Sequence, residues 1–294
     1  MNKIPVGDTI AHAYKFTFEN LGAIIGLIWL PTILNAVGTF FAQTYYSATV
    51  TAAMMQTRPA EAGQAALSMI AWSLLSLLLT AIIVGAVTRQ ALGLRKGPAF
   101  IHFSLGQQEF RIFGAELALG AILALFVMFY FIGVVTLAGL AMKSAARPLA
   151  IVAVLAALGG GCAIFYVMVR LSFLLFPATV AENKLGLSRS WTLTRGNFWR
   201  IVAIGLATVG PLVVVVLVGE YVILGPGYFQ LLFSAVSADA ATQAKMSDMQ
   251  SSMMSAHMPA ILGLSLLMAP FNAGLALGAA SFAYRVVTPA KPVL

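Results

Sequence analysis

Two stretches of this chain concentrate side chains that could do chemistry. In the first, Met246, Met249, Met253 and His257 recur at helical spacing and share one face, with Met254 and Met258 beside them. Thioether sulfur and imidazole nitrogen are soft donors that suit Cu(I), so copper handling is one reading of this loop. A methionine stripe serves equally as adaptable apolar filler. The second stretch holds Arg170, Glu182, Arg189, Trp191, Arg195, Trp199 and Arg200. Within it Leu187, Trp191, Thr194 and Phe198 recur at helical spacing, which predicts an amphipathic helix lying in the headgroup plane, aromatics below and cations above. Such a helix could bind anionic headgroups or a partner protein, or simply anchor the chain.

Other polar residues stand inside apolar runs. Arg170 and Glu116 lie toward the same end of neighbouring, antiparallel runs, where a charge is tolerated if it pairs or reaches the interface. Arg170 is expected to pair with Glu116 or Glu182. Asn35 follows Pro31 by a turn and Asn272 follows Pro270. Proline frees the carbonyl four residues earlier, so kinked helices at Asn35 and Asn272 could line a cavity or merely pack.

Signatures of enzymes are missing. The chain has no GxSxG, HExxH, Walker loop or dinucleotide fingerprint, and no pair of acids sits mid-run for general acid–base work. A non-enzymatic protein without a cofactor is expected. Cys162 is the single cysteine, so no internal disulfide or thiolate metal cluster can form.

The elements that must position these residues follow from composition. Of 294 residues, 61% are apolar and 9% charged, against roughly 25% charged in soluble domains, and mean hydropathy is +0.95. Lipid must therefore be the solvent over much of the surface. Six apolar runs are long enough to cross a hydrocarbon core: residues 21–41, 66–87, 114–142, 148–169, 198–224 and 258–284. They are continuous, not alternating as barrel strands would be, and unpaired backbone is costly in lipid, so they are helices. The first run is preceded by a polar stretch with Asp8 and Glu19 and is too long for a leader's apolar region, so no cleaved leader is expected.

Basic residues set the orientation. Thirteen of the 17 Lys and Arg fall on one side, together with both termini, and four on the other; the acids divide five to four. The first side nets +8 and the second is neutral, which predicts a cytoplasmic basic face with both termini on it. The net charge of +8 thus reads as a topology signal and a contact for anionic lipid, not as a nucleic-acid footprint. His12 and His102 lie on this side and cannot join the methionine cluster.

A repeat is visible at the run edges. AYKFTFENLGAI (13–24) aligns without gaps on SWTLTRGNFWRI (190–201), matching Tyr14 with Trp191, Thr17 with Thr194, Asn20 with Asn197 and Ile24 with Ile201. SLGQQEFRIFGA (104–115) is a looser third copy. The expected fold is all-α: a polytopic bundle of six transmembrane helices with amphipathic interfacial helices, built as three pseudo-repeated hairpin units over residues 8–88, 98–170 and 185–287. GxxxG pairs at Gly22–Gly26 and Gly274–Gly278 predict close helix packing, within the chain or between copies.

Pro177, Val180, Glu182, Ser190, Trp191, Leu193, Thr194, Gly196, Trp199 and Arg200 form a P-x-x-V-x-E … S-W-x-L-T-x-G-x-x-W-R pattern. It resembles the bacterial YciC-like membrane family and is similar to the membrane domain found with some glycerophosphodiester phosphodiesterases. The resemblance implies a bacterial inner-membrane protein loosely associated with lipids or the envelope. It imports no reaction, since that catalytic domain is absent. The expected function is engagement of membrane lipids or partner proteins at the cytoplasmic face, as a homo-oligomer or complex subunit. A small-molecule or lipid carrier or channel is the alternative, and copper handling a third.

Overall fold

The computed structural model describes residues 3–54, 59–95, 103–144, 147–234, 246, 249–250 and 252–288. These form α1 (Val6–Glu19), α2 (Leu21–Met54), α3 (Pro59–Ala91), α4 (Gln107–Ser144), α5 (Arg147–Ser172), α6 (Leu175–Glu182), α7 (Leu187–Leu193), α8 (Phe198–Thr208), α9 (Gly210–Leu224), α10 (Pro226–Ser234) and α11 (Met258–Val287). No strand occurs among the described residues. Five helices among the described residues are long and apolar enough to cross a membrane, or six if α8 and α9, bent by 41° at their junction, count as one span. The chain is an all-α polytopic membrane bundle.

The bend corrects the expectation of one continuous helix over 198–224, and its cause is local. Pro211 stands in the first turn of α9; it has no N–H to give the carbonyl of Ala207, and its ring crowds that carbonyl. The freed oxygen is not abandoned, because the Tyr14 hydroxyl of α1 donates to it at 2.9 Å. An aromatic residue that the repeat marks as an interface anchor is thus also the cap of a broken span.

Burial is concentrated at one end. The buried residues of α2 are Ile24, Leu27, Ile28 and Pro31; those of α4 are Glu109, Ile112, Ala115 and Glu116; those of α8 are Ile201, Ile204 and Thr208. α3 and α11 bury their last turns. All of these lie toward the basic end. Away from it the helices splay, and no residue in the most apolar stretch of α4 is buried. Phe129, Phe131 and Val222 are left at least 66% exposed, as suits side chains solvated by lipid.

Glycines set the close approaches. A Cβ on Gly274 would fall 2.7 Å from Thr17 Cγ2, and one on Gly278 2.8 Å from Phe16 Cδ1, so this GxxxG packs α11 on α1 within the chain. Gly22 has open space around it. Each of the first two hairpins is zipped by an aromatic laid on a glycine: Trp72 over Gly38, and Tyr130 over Gly160. The Tyr130 hydroxyl also donates to Ala157 O at 2.9 Å.

The first two repeat copies share a local geometry. Thr17 and Thr194 are fully buried, and each hydroxyl lies 2.8 Å from the carbonyl four residues back, the single Thr194 proton being shared between that oxygen and Arg170 O. Asn20 and Asn197 then open the next helix, their carbonyls accepting from the N–H of Ile24 and Ile201. The third copy departs from this plan. Residues 107–144 form one helix, so no separate surface helix introduces it; with neither a glycine nor an asparagine at the matching junction, nothing interrupts helical propagation there. The predicted stripe over 187–198 is also corrected. α7 ends at Leu193, and a turn with Gly196 at φ 76° precedes α8, a left-handed backbone that glycine adopts without cost.

Tyr14→Phe leaves the Ala207 carbonyl without a donor. It is expected to destabilise the detergent-solubilised protein by about 1–3 kcal/mol, seen as a lower midpoint in SDS-titrated unfolding, with the helical content unchanged.

Candidate functional site

The polar stretch from Arg170 to Arg200 is folded into a compact knot at the basic end. α5 delivers Arg170 on its last turn, α6 follows a break at 173–174, and Asn183, in the left-handed region, turns the chain toward α7. Gly186 is required where the turn presses on α6, since a Cβ there would lie 2.6 Å from Leu175 O. Its N–H donates to Thr179 Oγ1 at 3.1 Å.

Arg170 pairs with neither carboxylate expected for it. Its guanidinium carbon sits 3.7 Å from the Trp191 ring centroid and 5.4 Å from that of Tyr166. Nη2 donates to Trp191 O at 2.5 Å and Nη1 to Tyr166 Oη at 2.9 Å. The exchange is reciprocal: Arg170 O lies 3.0 Å from the donating Ser190 hydroxyl and 3.1 Å from that of Thr194. Two ring faces and neutral acceptors replace the missing counter-ion, and delocalised guanidinium charge tolerates this where an ammonium would not.

The carboxylates go elsewhere. Glu182 accepts from Arg189 Nε at 2.7 Å and from the Tyr284 hydroxyl at 2.9 Å, joining α6, α7 and α11. Glu116 is buried with neither oxygen hydrogen-bonded among the described residues. Glu109, 1% exposed, is ion-paired with Arg89 and accepts from Gly106 N–H at 2.9 Å. This pair escaped the sequence reading, in which both residues were only topology charges; nothing in their spacing marks them as partners.

Other basic residues are likewise bonded within the chain. Arg200 donates to Ile4 O at 2.8 Å while Ile4 N–H donates to Asn197 Oδ1 at 3.1 Å, clamping the N-terminal segment on α8. Arg111 holds Asn183 Oδ1 at 2.7 Å and Arg285 holds Ala91 O at 3.1 Å. A second contact of Arg285, at 3.4 Å, is to His12 Nε2. Burial, helped by nearby Arg285 and Lys15, lowers the His12 pKa, which keeps the ring neutral and able to accept.

Three cations and one indole are left facing outward. Lys3, Lys184 and Arg195 are exposed, with no hydrogen bond or ion pair among the described residues, and Trp199 is 78% exposed. Of the seven candidate residues, then, Arg170, Glu182, Arg189 and Arg200 bind the fold together, Trp191 does so through its carbonyl and ring, and Arg195 and Trp199 remain available.

Asn35 and Asn272 both line cavities, on two sides of α11. Asn35 accepts from Ser76 Oγ at 2.8 Å and borders a cavity of about 210 Å³ between α2 and α11. Asn272 borders one of about 480 Å³ between α9 and α11. Ser265 touches both. In the methionine segment, Met249 is exposed and Met246, Met253 and His257 are half-buried. His257 Nδ1 is 2.9 Å from Met253 O, and Met254 Sδ accepts from Tyr228 Oη at 3.7 Å. No group of three or more His, Cys, Asp or Glu suited to a metal lies among the described residues.

Arg170→Lys keeps a charge but loses the planar stack and one donor. It is expected to destabilise the folded protein by about 2 kcal/mol. Ser190→Ala, which leaves Thr194 to serve the Arg170 carbonyl, is expected to cost less than about 1 kcal/mol; unfolding midpoints in detergent compare the two.

No family model, curated protein or solved structure matches the chain.

Proposed function

We propose that this is a non-enzymatic multi-pass protein of the bacterial inner membrane, related to the YciC-like family, whose cytoplasmic face holds anionic lipid headgroups. One observation carries the reading. Arg89, Arg111, Arg170, Arg189, Arg200 and Arg285 are each bonded to another group of this chain, while Lys184, Arg195 and Trp199 are exposed on the same knot, the two cations without a partner among the described residues. An amphipathic ring at headgroup level with free cations beside it is suited to phosphate-bearing lipid. Thirteen of the 17 basic residues on this face support its cytoplasmic placement. The carrier alternative draws on the cavities at Asn35 and Asn272, both of which Ser265 lines.

Two outcomes are expected. By native mass spectrometry of delipidated protein, phosphatidylglycerol should be retained over phosphatidylcholine, and Lys184→Glu with Arg195→Glu should remove that preference. At about 1 kcal/mol per cation, loss of the two is worth about 30-fold. Equal retention of both lipids by the natural chain would refute the reading. Separately, a reporter fused after Leu294 should be active in the cytoplasm; extracytoplasmic activity would reverse the orientation.

A further inference from the structure

The groove between α9 and α11 has the chemistry of a binding site, and it lies away from the basic face. Val209, Leu212, Val213, Val216 and Leu217 line one wall, Met268 and Ala269 the other, and the volume is about 480 Å³. The helices run antiparallel: a Cβ on Gly219 would meet Leu264 Cδ2 at 2.7 Å. Glu220 therefore stands with Ser265 at the end remote from the basic face, and Val209 with Asn272 at the other. From Val209 to Glu220 the wall is about 16 Å long at helical rise. The groove begins where Pro211 breaks the span, and past that break α9 buries only Leu224.

Two polar groups on this groove have no partner among the described residues. Glu220 is half-buried and Asn272 exposed; both line the groove, and neither has a hydrogen bond or ion pair among the described residues. Ser265 differs, since its hydroxyl donates to Ile261 O at 3.0 Å. An unpaired carboxylate within a span is costly unless a cation joins it. Elsewhere in this chain the buried Glu109 and the exposed Glu182 are paired with arginines; among the described residues Glu220, like the buried Glu116, is not. A partner from outside the chain that carries positive charge and brings an apolar body suits this carboxylate and its wall of valine and leucine.

We propose that this groove binds a long-chain amphiphile bearing a primary ammonium group, its nitrogen on the Glu220 carboxylate and its chain along α9 toward Asn272. A primary ammonium can donate hydrogen bonds to the carboxylate, whereas a quaternary one cannot, so the site selects between them. This site is independent of the headgroup contacts at Lys184 and Arg195.

The test uses the full chain in non-ionic detergent, with native mass spectrometry reading retained ligand. Hexadecylamine should be retained about tenfold or more over hexadecanol of equal chain length. Glu220→Gln should erase that difference, Glu220→Asp should keep it, and Val216→Trp, which fills the groove, should lower both. Both positions lie outside the packed basic end, and unchanged unfolding midpoints would show that the fold is kept. A second arm compares phosphatidylethanolamine with phosphatidylcholine. An ethanolamine preference that Glu220→Gln removes assigns the ligand to the bilayer; an amine preference without it assigns a single-chain amphiphile. Equal retention of amine and alcohol by the natural chain, or an amine preference that survives Glu220→Gln, would overturn the proposal.

Discussion

Arg170 occupies the last turn of α5 with its guanidinium flat against Trp191 and its own carbonyl bonded by Ser190 and Thr194. The remainder of the basic end is reached through it. The stack fixes α7 on α5; α7 fixes the Gly196 turn and so the position of Asn197; Asn197 and Arg200 then grip both backbone groups of Ile4. The N-terminal segment carries α1 onto α11, where Gly274 and Gly278 let it sit close. A short series of hydrogen bonds thus places helices that are adjacent in space and nearly 200 residues apart in the chain.

Dependence on polar ties is what a lipid solvent would impose. Hydrocarbon chains are as apolar as leucine, so spans gain nothing from burying leucine against leucine, and association falls to packing of small residues and to interhelical hydrogen bonds. The distribution here agrees. Where arginines, threonines and asparagines are dense, at the basic end, the helices close up and bury their side chains. Where only valine, leucine and phenylalanine are present, fewer side chains are buried, and close approach is left to glycine seats such as those under Trp72, Tyr130 and Leu264. The grooves beside α11 follow from that sparser burial and from the bend at Pro211.

The same ties divide the basic residues by role. An arginine that donates to a backbone carbonyl or a carboxylate has committed donors to the fold and has fewer left for a lipid or partner. Counting cations on a face therefore overstates what the face can bind. Arg189 illustrates this: as a surface cation it looks equivalent to Arg195, yet it is held by Glu182, itself bonded to Tyr284.

Hydropathy and charge are properties of a linear chain, and what depends on them was legible in the sequence: helices rather than strands, the location of the spans, and the gathering of basic residues and both termini at one end. The paired Thr–Asn junctions at 17–20 and 194–197 were legible for a similar reason, because a cap acts within four residues of itself. The rest needed three dimensions. Whether Arg170 meets a carboxylate or an indole, which arginine takes Glu109, and which hydroxyl covers the carbonyl that Pro211 releases are contests between partners distant in sequence, decided by proximity after packing. The unpartnered state of Glu220 belongs here too, since only the folded chain shows that no cation among the described residues reaches that groove.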